Sequence, residues 1–157
     1  MRTLNRVLEQ KILAADGSYL DAQGLQPLEQ YFQSYTTRLE TYQYLRDHSQ
    51  NLVLQALRKL AQVYPELIHK HRQRCQYDMT EVLRYIALSI LRDDEVFFKE
   101  QMMSWLDTIL VAHKKNAQCM VAYRYLQEAI HISLPAISSS LIRPYLENVM
   151  TSLQSHV

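Results

Sequence analysis

Glycine is nearly missing from this chain, at two in 157 residues, and proline is only slightly commoner at four. An all-β protein needs permissive and rigid turn positions every few residues, so that class is excluded. Cysteine is also scarce. Cys75 and Cys119 lie far apart and do not make a disulfide framework, so a reducing cytoplasm suits them. No run of about 18 apolar residues occurs, and no membrane insertion is expected. The opening MRTLNRVLEQ is too polar for a secretory leader. Neither charge dominates, with 17 Lys and Arg against 16 Asp and Glu, a net of +1. A nucleic-acid surface would usually show a strong basic excess, so no nucleic-acid partner is expected. Low-complexity tracts, strong repeats and linkers are absent too. What is present is Leu, Gln, Glu, Arg and Ala, all good helix formers, in a length that makes one domain with a real core.

The apolar periodicity predicts an all-α chain of about seven or eight helices. Thr3 can cap a first helix with Leu4, Val7, Leu8 and Ile12 on one face, ended by Asp16-Gly17. That face either packs on its own domain or needs a partner to cover it. Asp21 caps the next segment, with Leu25, Leu28, Phe32 and Tyr35 inward. Pro27 fits only a first turn, which puts the regular start or a kink near Gln26. Thr37 and Glu40 have capping-box spacing and open a long helix to about Val63. Its stripe is Leu39, Tyr42, Leu52, Val53, Ala56, Leu57, Leu60 and Val63, and Pro65 limits it. A helix running to Leu91 follows, and Asp93 or Asp94 caps its successor, which carries Phe98, Met102, Trp105, Leu106, Ile109 and Leu110. Asn116 can cap a sixth helix, with Met120, Tyr123, Leu126 and Ile130 inward, broken by Pro135. Ser138, Ser139 and Ser140 offer caps to the last, with Leu141, Tyr145, Val149 and Leu153 inward and Pro144 early in it.

The chain is organised around Arg72 to Asp94, RQRCQYDMTEVLRYIALSILRDD. Cys75 and Asp78 are three apart, so a thiol and a carboxylate share one helix face and can reach one ligand. Met79, Val82, Leu83, Ile86 and Ile90 form an apolar stripe behind them, and Lys70, His71, Arg72 and Arg74 a basic cluster ahead. Such a set suits a covalently held ligand with N–H donors and acid groups. A lone Cys is more often a small buried residue than a functional thiol, and a charge run is usually a solvated turn. The cations beside Cys75 should lower its pKa. His69-x-His71 with Cys75 lacks a fourth zinc ligand, and no metal is expected. A Cys-His hydrolase would need a base and an oxyanion hole, and no motif supplies either. The clustered Tyr31, Tyr35, Tyr42 and Tyr44 suit an interface or half-buried packing.

Over nearly its whole length the chain resembles a phycobiliprotein subunit, most like the allophycocyanin β type. YLDAQGLQPLEQYF is similar to that family's N-terminal stretch. CQYD followed by VLRY matches the family's chromophore motif Cys-x-x-Asp and the Leu-Arg-Tyr after it, here Leu83-Arg84-Tyr85. The resemblance implies one domain over 1–157: a globin-like helical bundle, 36–157, with an N-terminal helical pair, 1–35. It implies a phycocyanobilin or related bilin joined to Cys75, its pyrrole N–H groups bonded to Asp78. Arg74, Tyr77, His71 and Arg72 complete the expected binding set, and Arg84 is expected to pair with an N-terminal acid, Asp16. The expected partner is another such subunit or a second copy, through the N-terminal helices, with a phycobilisome linker also possible. The expected place is the cytoplasmic face of the thylakoid, in light harvesting without enzymatic turnover.

The chain departs from the pattern in four places. Tyr77 stands where the motif usually has an arginine that binds a propionate, Leu88 where a tyrosine is common, and Asp93 where a glycine is usual. The loop before the motif is shorter, with Pro65-Glu66-Leu67-Ile68 running almost directly into Lys70-His71-Arg72. Two function classes therefore stand open. One is a divergent bilin-carrying subunit. The other is a chromophore-free homologue acting in assembly, regulation or bilin handling. A haem protein is a third, since a globin-like bundle invites it, but His69, His71, His113 and His131 lack a proximal-ligand signature.

Overall fold

Amphipathic stretches at helical period give an all-α structure, as expected. The computed structural model describes residues 4–106 and 116–155, and among these there is no strand. The helices are α1 (Arg6–Ala14), α2 (Ala22–Gln33), α3 (Tyr35–Val63), α4 (Pro65–Arg92), α5 (Glu95–Phe98), α6 (Asn116–Ser133) and α7 (Ala136–Gln154). Helix α5 runs on through a π-helical turn, Lys99–Met103. Together they make a globin-like bundle, α3 to α7, with the helical pair α1–α2 ahead of it.

The core follows the stripes. Val53, Ala56, Leu57 and Leu60 of α3 meet Met79, Val82, Leu83, Ile86 and Ile90 of α4. Leu126 and Ile130 of α6, with Ile142, Leu146 and Val149 of α7, close the other side. Phe98, Met102 and Leu106 are buried across the π turn, and the Phe98 ring meets Tyr145 edge-on at 5.1 Å between centroids. Thr41 of α3 and Ser138 of α7 share a buried hydrogen bond of 2.9 Å, one of the few polar contacts inside. Trp105, Met120 and Leu141 are only half-buried, and Val63 is exposed. Ile109 and Leu110 lie outside the described residues.

Several caps differ from expectation. Thr3 lies outside the described residues, and α1 is capped by Asn5, whose side chain accepts from the Leu8 N–H. Asp21 and Asp94 cap α2 and α5 as expected. Asp93 instead closes α4 in the left-handed region, at φ 52°. Helix α3 begins at Tyr35 without a side-chain cap, so Thr37 and Glu40 lie inside it. The side chain of Asn116 lies outside what is described. Ser138 and Ser139 are buried inside α7, which starts at Ala136 directly after Pro135. Pro27 and Pro144 are interior to α2 and α7. Each deprives the carbonyl four residues back of its partner. Those carbonyls belong to Gln23 and Ser140, both exposed residues that water can reach.

The helical pair is held by polar contacts more than by apolar ones. Arg38, only 2 % exposed, donates from Nε to Ser34 Oγ at 2.9 Å and from its terminal nitrogens to the carbonyls of Tyr31 and Leu91. Its guanidinium lies 4.3 Å from the centre of the Tyr31 ring. Asn5 Nδ2 donates to the carbonyls of Arg92 and Asp93, at 3.1 and 2.7 Å. Arg6 pairs with Glu100 at 2.6 Å. No residue of α1 is buried, and Phe32 and Tyr35, expected inward, are exposed. Tyr31 takes the inward place, because Arg38 needs its ring and carbonyl. Arg38→Ala should cost about 3–5 kcal/mol, from two orphaned carbonyls and a cavity. Urea unfolding measures it, and a midpoint unchanged from the parent would refute the assignment.

Candidate functional site

The motif helix is bent at the site. Residue His71 has φ −131° and ψ 19°, outside the helical region, so α4 is two helical pieces joined at that residue. Lys70 and Arg74, at i and i+4, would repel on a straight helix. The break sits between them. An open cleft of about 790 Å³ follows the joint. Ala61, Pro65 and Ile68 form one part of its wall, and His69 through Arg74 the rest. The expected solvated turn is thus helical on both sides, with its basic side chains exposed around the bend.

Cys75 and Asp78 lie just after the joint. Cys75 is half-buried and packs against the core. The Asp78 side chain is 15 % exposed, and its Oδ2 is 3.6 Å from Arg74 Nε, an ion pair one helical turn long. Tyr77 points away from this face and is 62 % exposed. Of the expected set, the structure brings Cys75, Asp78 and Arg74 to one place. His71 and Arg72 line the adjoining cleft, and Tyr77 joins neither.

Burial pushes the Cys75 thiol above its ordinary pKa, and the nearby Asp78 charge pushes it further. A hydrogen bond at the Cys75 backbone and the Arg74 charge oppose this only in part. The expectation that neighbouring cations would lower it is therefore corrected. Except for Arg74, those cations point into solvent, whereas Asp78 faces the sulfur across a poorly solvated space.

Tyr123 of α6 is a site residue that its apolar spacing hid, since it was read as one rung of a core stripe. It is buried, and its phenol is raised well above the ordinary value by burial, then by the charges of Cys119, Asp78 and Cys75. The charges of those three groups thus act on it through the interior. The only sequence clue was its i+4 spacing from Cys119.

Other expected contacts fall elsewhere. Arg84 pairs with Glu81 at 2.7 Å and lies against the Tyr85 ring at 4.6 Å, not with Asp16. A carboxylate one turn away on the same helix is the nearer partner. His69, His71 and His131 are all exposed, and His113 lies outside the described residues. Among the described residues, no group of three His, Cys, Asp or Glu side chains is placed to hold a metal ion. No described helix is long and apolar enough to cross a membrane.

A half-buried thiol beside an anchored carboxylate can hold a ligand by its sulfur and by its N–H groups together. In a Cys119→Ser background, Cys75 should alkylate more slowly with iodoacetamide at pH 7.5 than a free cysteine does, by about tenfold. Adding Asp78→Asn removes the charge that raises the thiol pKa, so the rate should rise and its pH midpoint fall. Mass spectrometry of the time course checks this, and an unchanged midpoint would show that the two groups do not interact.

A family model described as phycobilisome protein matches residues 11–153 of this chain. No curated protein matches it.

Proposed function

Because the chain belongs to the phycobilisome protein family, we propose that it is a divergent phycobiliprotein-like subunit, of allophycocyanin β character, that carries an open-chain tetrapyrrole for light harvesting. The observation that carries this is Cys75 and Asp78 on one half-buried face of α4, beside Tyr123 and at the edge of a cationic cleft. The donor set fits such a group. Asp78, held by Arg74, is an ionised acceptor for pyrrole N–H groups, a charge-assisted contact. When bound, the tetrapyrrole supplies visible absorption and the excited state that is passed on.

Attachment is the work of Cys75. Its S–H adds across a carbon–carbon double bond of the bilin, so that a sulfur–carbon bond forms and the proton goes to the neighbouring carbon. Nothing is oxidised or reduced, and no co-reactant is needed. Asp78 fixes the orientation of whatever donors face it, and a stiff geometry favours emission or transfer over heat loss.

Members of this family assemble with one another. Here the exposed Leu4, Val7, Ile12 and Leu13 of α1, with Leu25 and Phe32 of α2, support pairing through the helical pair with another such subunit or a second copy. We read 1–157 as one unit, with 1–35 as the docking extension and the thylakoid surface as its place.

Co-expression with a bilin-producing pathway, then denaturing electrophoresis with zinc-induced fluorescence, tests the assignment. A fluorescent band at the protein's mass is expected, lost in Cys75→Ser and kept in Cys119→Ser. Asp78→Ala should stay attached but absorb broadly and to the blue. A blank lane from folded parent protein with bilin present would sink the bilin reading and leave the chromophore-free alternative.

A further inference from the structure

Helix α1 is fastened to the bundle at its start, by three consecutive residues. The Leu4 carbonyl accepts from Arg92 Nε at 3.1 Å, Asn5 Nδ2 donates to the Arg92 and Asp93 carbonyls, and Arg6 pairs with Glu100. Arg92 is itself steadied by the Phe97 ring at 4.1 Å and by Asp94 at 3.7 Å. Past Arg6 the hold is slight. No residue from Arg6 to Ala14 is buried, and Val7, Ile12 and Leu13 are half or more exposed. The far end runs into Gly17, whose φ of 80° is left-handed backbone that glycine adopts freely. A Cβ placed there would meet nothing within 4 Å, so the turn has room to move. Helix α2 is held elsewhere, by Arg38 through Tyr31. A groove of about 290 Å³, lined by Leu8, Ile12 and Leu13 of α1 with Leu28 and Tyr31 of α2, lies between the two helices.

We propose that α1 is a strap that opens as a unit about Gly17 while α2 and the bundle stay folded, and that Asn5 is its clasp. The Asn5 bonds are partly buried, whereas Arg6 and Glu100 meet in solvent, where an ion pair contributes little. A helix of nine residues does not persist alone in water, so the strap unravels when it lifts. The strap owes nothing to the tetrapyrrole reading. Its consequence for assembly rests on the docking reading of the helical pair. Leu4, Val7, Ile12 and Leu13 form part of that apolar surface and stand in place only while the strap is closed. Asn5 is buried and offers a partner no contact, yet it sets how much of the time the surface exists. It is a positioning residue for assembly.

Hydrogen exchange of the full chain, read by mass spectrometry, tests the strap. Amides of α1 should exchange about tenfold or more faster than those of α2, and faster still than those of the α4 core. Asn5→Ser keeps an N-cap acceptor but has no amide to give the two carbonyls. It should speed α1 about tenfold further and leave α2 and α4 unchanged. Arg6→Gln, which removes only the exposed ion pair, should change α1 by less than about threefold. Equal exchange of α1 and α2 in the parent, or α1 indifferent to Asn5→Ser, overturns the proposal. So does α2 quickening together with α1, since the pair would then move as one. Sedimentation reads the consequence for assembly, where self-association of the parent should weaken about tenfold in Asn5→Ser. An associating parent unaffected by that change overturns the positioning role. A parent monomeric at every concentration removes pairing with a second copy, and the exchange data still decide the strap.

Discussion

A buried arginine with no ion-pair partner among the described residues ties the helical pair to the bundle. Arg38 places its guanidinium against carbonyls at two helix C-termini, Tyr31 near the end of α2 and Leu91 near the end of α4. The last carbonyls of a helix lack internal partners and carry the negative end of its dipole. Two such ends converging on one cation offset its desolvation, and the face of Tyr31 adds to this. Asn5 makes the same use of the α4 terminus from the other side, bonding the Arg92 and Asp93 carbonyls while it caps α1. The helical pair is therefore fixed to the bundle at the C-terminal end of the motif helix, leaving most apolar side chains of α1 facing outward. A pair held by apolar packing on its own bundle would have had no face left to offer a partner.

The motif helix divides the labour along its length. From Met79 onward it is core, with a residue buried on nearly every turn, and its end is locked by Arg38 and Asn5. Before His71 only Leu67 is buried, Ile68 is half-buried, and the other residues are exposed. Cys75 and Asp78 fall at the change between the two regimes. There a side chain can be both held by the core and reached from outside. A ligand site needs both conditions, because a rigid backing fixes geometry while an open edge admits the group.

The parts of this arrangement that follow local rules were legible in the residues. The stripe from Met79 to Ile90 is buried throughout, and Asp21 and Asp94 cap where a short acidic side chain before a helix should. Cys75 with Asp78 was visible because three residues make nearly one turn. Several of the misses come from interactions between elements far apart in sequence. Arginine is rarely buried, and only the meeting of two helix ends makes Arg38 an exception. Phe32 and Tyr31 are adjacent, so the choice of inward ring rested on that same distant contact. Ser138 and Ser139 looked like caps, yet Thr41 across the bundle gives Ser138 a partner inside. Tyr123 looked like core because it is core.

The coupling of Cys75 to Asp78 gives the site a further property. The carboxylate and the thiolate are both negative and share a poorly solvated space, so each disfavours the charge of the other. Burial and Asp78 together keep the sulfur protonated and unreactive in the free protein. Donor groups that satisfy Asp78 offset its charge, and the thiolate becomes less costly by the same interaction. The relation is reciprocal, since linkage requires that deprotonating Cys75 strengthen the affinity of Asp78 for donors. On the tetrapyrrole reading, a sulfur kept quiet until the adjacent carboxylate is occupied would discriminate between ligands in a way a permanently activated thiol would not. It would react faster where N–H donors are already in place than with small electrophiles that bring none.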